Sequence, residues 1–267
     1  MPEFDGVIFS DLHLSEDKPR LNALFEAFVQ RVEGTPEVAC LGDLAEYWIG
    51  RKHLQSEQGR HVFELMARLA KPARRAIWVS GNRDHMFKGT ARKAGYQTYR
   101  NRYVGEFCGT PCDLEHGDLF CTNDRVYQRF RLWFRNTPWG LLGELFSAER
   151  AHRLCQYMRS KSQGEFARKD PEHFGIQPEP VKRLVSRGAR VIVCGHVHTP
   201  FSRDYAADGS SGRLYVTSDW REDGAVVCVV KGGEFKLMRF DGRDFHEFDA
   251  PEKQGIYSLE LAGKADS

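Results

Sequence analysis

The segment Gly6-Val7-Ile8-Phe9-Ser10-Asp11-Leu12-His13 decides the fold. Val7-Ile8-Phe9-Ser10 reads as a short buried strand that stops where charge begins, at Asp11. The same punctuation recurs twice. Val38-Ala39-Cys40-Leu41 runs into Gly42-Asp43, and Ala76-Ile77-Trp78-Val79-Ser80 runs into Gly81-Asn82-Arg83-Asp84. Between these strands, Leu21, Leu24, Phe25, Phe28, Val29 and Val32 recur at helical spacing, as do Val62, Phe63, Leu65, Met66 and Leu69. Strands alternating with amphipathic helices predict an α/β fold with parallel pairing.

Further along, residues 103–107 and 113–115 read as short strands, and residues 125–161 as helical, basic and aromatic. A helix around residues 180–184 precedes the strand Val191-Ile192-Val193-Cys194. Short strands with Gly turns follow at 214–217, 225–230 and 234–240. The expected organisation is one domain over residues 1–250, including a helical insert at about 125–165, and a weakly ordered tail over 251–267.

Whole-chain composition removes several classes. The 267 residues are 41% hydrophobic and 12% aromatic, which excludes a disordered chain or a simple coiled coil. Mean hydropathy is -0.54, and no apolar run approaches the roughly 20 residues of a membrane span. No basic region precedes the first apolar stretch, so a cytoplasmic protein without a secretory signal is expected. The seven cysteines form no paired framework. Cys108 and Cys112 lack a second ligand pair, which favours packing over half a zinc site.

The strand ends share one chemistry. Asp11-Leu12-His13, Gly42-Asp43, Gly81-Asn82-Arg83-Asp84, Glu115-His116-Gly117-Asp118 and Gly195-His196-Val197-His198 each close a β-like run. In α/β sheets, ligands collect outside the carboxyl ends of strands, where loops distant in sequence converge. Asp11, His13, Asp43, Asn82, His116, His196 and His198 offer oxygen and imidazole donors without a thiolate, a set suited to Mn²⁺, Fe or Zn²⁺. Seven ligands suffice for two ions if Asp43 bridges them. Ions about 3.5–4 Å apart can clamp a phosphoryl group and activate a hydroxide.

This constellation resembles the calcineurin-like metallophosphoesterase family across most of the chain. The resemblance implies a four-layer α-β-β-α sandwich, two mixed sheets with helices on both outer faces, with the helical insert as a cap. It implies two divalent ions, Mn²⁺ foremost. Asp11, His13, Asp43 and His198 would hold one, and Asp43, Asn82, His116 and His196 the other. Many family members carry His where this chain has Arg83. Arginine cannot donate a proton near neutral pH, so Arg83 is expected to neutralise phosphate charge. A pyrophosphate, whose leaving phosphate needs little acid help, fits better than an alkyl phosphomonoester. Asp84 is expected to orient a ligand or pair with Arg83.

Three marks narrow the likeness. They are Gly42-Asp43-Leu44 with Glu46 and Trp48-Ile49-Gly50; Gly81-Asn82-Arg83-Asp84; and the run from His116-Gly117-Asp118 through Asn123-Asp124 to Tyr127-Gln128 and Phe130-Arg131. They are similar to the family's lipid A pathway pyrophosphatases. That resemblance implies attack of a metal-bound hydroxide on the α-phosphorus of UDP-2,3-diacylglucosamine, giving UMP and 2,3-diacylglucosamine 1-phosphate. It implies catalytic roles for Asp43, Asn82, Arg83 and His196, and substrate contacts from Asn82, Arg83, Asp124, Lys161 and His196. Two departures, Asn123 where relatives are commonly acidic and His85 where relatives usually carry Phe, bear on acyl-chain preference.

The insert adds an independent argument. The formal charge of +2 hides an uneven distribution: residues 125–161 hold eight basic and two acidic side chains, leaving the remainder at -4. The same stretch holds seven aromatics. A basic, aromatic helical segment suits an anionic membrane interface or acyl chains, against the alternative of a cap packed on its own core. The expected partners are a nucleotide-linked glycolipid and the cytoplasmic face of the inner membrane, with no nucleic acid and no obligate protein partner. A soluble nucleotide phosphodiesterase or phosphatase of the same family is the enzymatic alternative. A metal-free scaffold is disfavoured because all seven ligand positions are intact.

Overall fold

The structure is a computed structural model that describes residues 3–46, 48, 50–136 and 174–252. The strands, in chain order, are β1 (Gly6–Phe9), β2 (Glu37–Cys40), β3 (Arg75–Val79), β4 (Gln97–Tyr99), β5 (Arg102–Phe107), β6 (Thr110–Glu115), β7 (Val191–Cys194), β8 (Phe201–Ala207), β9 (Ser210–Val216), β10 (Ala225–Lys231), β11 (Glu234–Phe240) and β12 (Phe245–Glu247). The helices are α1 (Pro19–Val32), α2 (Glu57–Ala70), α3 (Lys88–Ala94), α4 (Arg125–Asn136) and α5 (Pro178–Val185). One sheet runs β12-β11-β10-β1-β2-β3-β4 and the other β5-β6-β7-β9-β8. β1 to β4 pair in parallel, as do β6, β7 and β9; antiparallel strands complete both sheets.

The alternation of side chains along each strand builds the layers. Val7 and Phe9, Val38 and Cys40, Ala76 and Trp78 face α1, α2 and α3 in one core. Ile8, Ala39, Leu41, Ile77 and Val79 face the other way and meet Leu114, Val191 and Val193 of the second sheet. Ile192 and Cys194 then pack against Val181, Leu184 and Val185 of α5 on the far side. The result is the expected helix–sheet–sheet–helix stack. Both faces of the central strands are buried, which is why they read as continuous apolar runs.

The helices obey local rules. Pro19 opens α1, whose Leu21, Leu24, Phe25, Phe28, Val29 and Val32 are all buried. The Ser56 hydroxyl caps α2 by accepting the Gly59 N–H at 3.0 Å. The structure adds α3, β4, β8 and β12, which are too short or too polar to carry a periodic signal. The tight β5–β6, β8–β9 and β10–β11 hairpins turn on Cys108-Gly109, Asp208-Gly209 and Gly232-Gly233, with φ positive at every turn residue. That is the two-residue geometry matching the right-handed twist of paired strands. Cys108 is thus a turn residue, and the six cysteines among the described residues are free thiols.

The predicted helix over 125–161 is observed as α4 as far as Asn136; the remainder of the insert, including Lys161, lies outside the described residues. Of the predicted tail, residues 253–267 also lie outside them. Among the described residues no helix is long and apolar enough to cross a membrane.

Candidate metal centre

The carboxyl ends of β1, β2 and β3 in one sheet meet those of β6, β7 and β9 in the other, and their loops are stitched together. Asp11 N–H donates to Gly42 O at 3.0 Å, His13 N–H to Asp43 O at 3.0 Å, and Gly195 N–H to His116 O at 2.9 Å. Hydrogen bonds also cross between the sheets here: His196 N–H to Asp11 Oδ2 at 2.9 Å, and His116 Nδ1–H to Leu41 O at 2.8 Å. The Ser10 hydroxyl also touches Asp11 Oδ2 and lies 2.7 Å from the Thr217 hydroxyl beyond β9. Gly195 is required at this seam, because a Cβ there would collide with the Ser10 hydroxyl and the Asp11 carboxylate.

These bonds fix one atom of each group and leave another facing inward. Asp11 spends Oδ2 on Ser10 and His196, while its buried Oδ1 takes no hydrogen bond and sits 3.5 Å from His198 Nε2. His116 spends Nδ1 on Leu41, which leaves its buried Nε2 as the lone-pair nitrogen, 3.7 Å from Asp43 Oδ2. His13 Nε2 and His198 Nε2 face each other at 3.3 Å. Asn82 Oδ1 is buried without a hydrogen-bond partner. Native interiors rarely leave such acceptors unsatisfied. Two triads bring ligand atoms within 4.8 Å of one another: Asp11, His13 and His198, and Asp11, Asp43 and His116. These donors fit divalent cations bound through oxygen and imidazole.

Asp11 belongs to both triads, and Asp43, the residue expected to be shared, to one. The Asp43 carboxylate accepts the Arg83 N–H at 3.0 Å through Oδ1, and its Oδ2 lies 3.5 Å from Arg83 Nε. His196 stands outside the triads. The His196 ring lies 5.1 Å from that of His116 and 5.5 Å from that of Tyr127 on α4. Asp84 pairs with backbone instead of Arg83: its carboxylate accepts Leu44 N–H at 2.8 Å and Gly81 N–H at 3.1 Å, clasping the β2 and β3 loops. Asp124 caps α4 by accepting the Tyr127 N–H at 3.1 Å.

Electrostatics follow from burial beside opposite and like charges. Burial works against ionised Asp11, but His198 and the neighbouring His116 and His13 imidazoles outweigh it and hold the carboxyl well below the usual range. Burial and the neighbouring His116 push His196 down to about 3, so its imidazole is neutral and able to ligate. Burial, with Arg83 nearby, likewise lowers His13. Burial and then Asp43 push Asp84 up to about 7.

Backbone strain marks the same residues. Among the described residues, seven other than glycine have positive φ; two are the hairpin residues Cys108 and Asp208, and the other five are Asp11, His13, Asp43, His196 and His198. Such conformations persist where the surroundings enforce them, and they cluster at functional sites. Several participants carried no motif of their own. Ser10, Thr217, Lys18 and Asp219, whose Oδ2 is 3.9 Å from His198 Nδ1, act through partners far away in sequence. Asp118 did stand in a motif, but its role is structural: it binds Tyr127 Oη at 3.2 Å and pairs with Arg131, tying α4 to the His116 loop.

Comparison with known proteins gives this geometry a family. Residues 7–200 match the model of the calcineurin-like phosphoesterase family. A protein of Pseudomonas aeruginosa named UDP-2,3-diacylglucosamine hydrolase is 32% identical over 234 residues, covering 85% of this chain and 96% of that protein. Proteins of the same name from Azotobacter vinelandii and Aeromonas hydrophila are 31% and 32% identical over 237 residues, covering 88% and 86% of this chain and 98% and 96% of theirs. The chain is therefore a member of the calcineurin-like phosphoesterase family and a metal-dependent phosphoester hydrolase.

Proposed function

We propose that this enzyme hydrolyses the pyrophosphate bond of UDP-2,3-diacylglucosamine at the α-phosphorus, yielding UMP and 2,3-diacylglucosamine 1-phosphate. The observation that carries this reading is Arg83, presented beside Asp43 and the two triads as a fixed cation instead of a proton donor. Relatives named for this activity, matched over nearly their whole length, support it. Residues 1–250 would act as one unit, with the insert at about 125–165 as its cap.

Asp11, His13, Asp43 and His198 would hold one divalent ion and Asp43, Asn82, His116 and His196 the other, with Mn²⁺ the expected metal. When bound, the ions supply Lewis-acid charge stabilisation for the phosphoryl group and activate water. The chain's own residues do the rest. Arg83 counters phosphate charge through guanidinium N–H groups. Asp11 Oδ2, locked by Ser10 and the His196 N–H, keeps Oδ1 aimed inward. His116, whose Nδ1–H is held by Leu41 O, presents Nε2 without a tautomer change. Asn82 and His196 would also contact the substrate's sugar phosphate, as would Asp124 and Lys161.

The substrate's lipid half favours contact with the cytoplasmic face of the inner membrane. Val126 and Leu132 of α4 are 75% and 58% exposed, next to exposed Arg125 and Arg129. Apolar and basic side chains alternating on one helix suit an anionic lipid surface. The direct assay is UMP release from UDP-2,3-diacylglucosamine with Mn²⁺. Rapid cleavage of soluble nucleotide diesters together with no action on the lipid would refute the reading.

A further inference from the structure

Beside the metal centre lies a group that the ligand set does not use. Glu46 follows the Asp43 loop, and its carboxylate is 3% exposed. One oxygen accepts Lys18 Nζ at 2.6 Å and the other accepts Arg83 Nη1 at 3.0 Å. A buried carboxylate needs a partner, yet one cation would suffice. Here there are two, from loops 28 and 37 residues away in sequence.

The arrangement is rigid. Glu46 N–H donates to Leu14 O at 3.0 Å, so its backbone is pinned to the loop carrying His13. Lys18 is fixed by its N–H to Ser15 O at 3.1 Å and by Pro19, which opens α1 directly after it. Lys18 Nζ also reaches His13 O at 3.4 Å, and the Arg83 N–H holds Asp43. The clamp is thus stitched to two candidate ligands. Both cations keep a solvent face, with side chains 32% and 28% exposed. An ammonium offers three donors and a guanidinium five, so donors remain on each after Glu46 is served.

We propose that Glu46 is a positioning residue that presents Arg83 and Lys18 as a fixed pair of cations, and that Lys18 takes the second phosphate of a diphosphate whose first phosphate faces Arg83. The pair makes the site selective for two linked phosphates over one. The inference rests on the proposed function only in placing a phosphate at Arg83.

The test is calorimetric titration of the metal-loaded protein with UMP and with the non-hydrolysable α,β-methylene-UDP. Lys18→Met should weaken the diphosphate analogue about tenfold and UMP less than about twofold, a loss fitting one charge-assisted contact. Lys18→Arg should restore binding of the analogue. Glu46→Gln should weaken both ligands, and adding Lys18→Met to it should cost less than about twofold more, because Lys18 has already lost its anchor. Thermal melts confirm that each variant is folded. Equal shifts for the two ligands, additive effects of the two substitutions, or a wild-type protein that binds the analogue no more tightly than UMP would overturn the proposal. Absence of UMP release from the lipid would sink the proposed function and leave these binding constants standing.

Discussion

Two regions of this molecule bend the backbone into the same left-handed conformation for opposite reasons. At the hairpin tips, Cys108 and Asp208 precede glycines, and positive φ is simply what a two-residue turn between twisted strands demands. At the rim of the sheets, Asp11, His13, Asp43, His196 and His198 adopt it with bulky or charged side chains. No hairpin asks for it there. Holding such a residue costs on the order of 1–2 kcal/mol. The rim tolerates the cost because crossing hydrogen bonds between the loops leave no alternative. One conformation therefore reports chain reversal in one place and an enforced aim of side chains in the other.

That contrast can be broken at the rim first. Asp43→Ala should lower hydrolysis of bis(p-nitrophenyl) phosphate roughly 10³-fold or more, as losses of central groups do, while the far hairpins keep their pairing. Gly195→Ala changes no ligand residue but drives a methyl into Ser10 and Asp11. It should cost about 2 kcal/mol in denaturant unfolding and about 10² in rate, since small misplacements of reacting groups are expensive. Retained activity would show that the seam does not set the aim.

A substitution at a tip should do almost nothing. Asp208→Gly removes a side chain from the β8–β9 turn, and relief of positive φ roughly offsets the entropy of glycine. Stability should move by less than about 0.5 kcal/mol, with activity intact. A large loss of activity would mean that the tips are not mere turns.

A different kind of effect concerns Asp113, at neither place. Burial raises its carboxyl from 3.8 to about 6, with Arg102 at 3.4 Å opposing. Between those values the folded chain keeps a proton that the unfolded chain has lost, so this group's contribution to stability falls as pH rises through that window. Relative to Asp113→Asn, the wild type should lose on the order of 2 kcal/mol between pH 4 and 7. A flat difference would contradict the assignment.

Legibility in the sequence followed locality. Phe9-Ser10-Asp11 and Cys194-Gly195-His196 announce a strand end and a donor within three residues, so the layers and the seven ligand candidates could be read directly. Glu46 stood beside such a mark, but its role depends on Lys18 and Arg83, and no local pattern encodes that meeting. Asp219 follows β9 without a flanking His or Gly-Asp turn, and Ser10 reads as the last residue of a strand until Thr217 is placed against it. The sharing of Asp11 by two triads was also invisible, since spacing says which residues reach the rim and not which oxygen is already spent on His196.

The central claim is that two sheet edges, locked together through Asp11 and His116, form one centre for two cations. Calorimetric titration of metal-stripped protein with Mn²⁺ tests it most directly. The account predicts two ions bound per chain; one ion, or none, would contradict it.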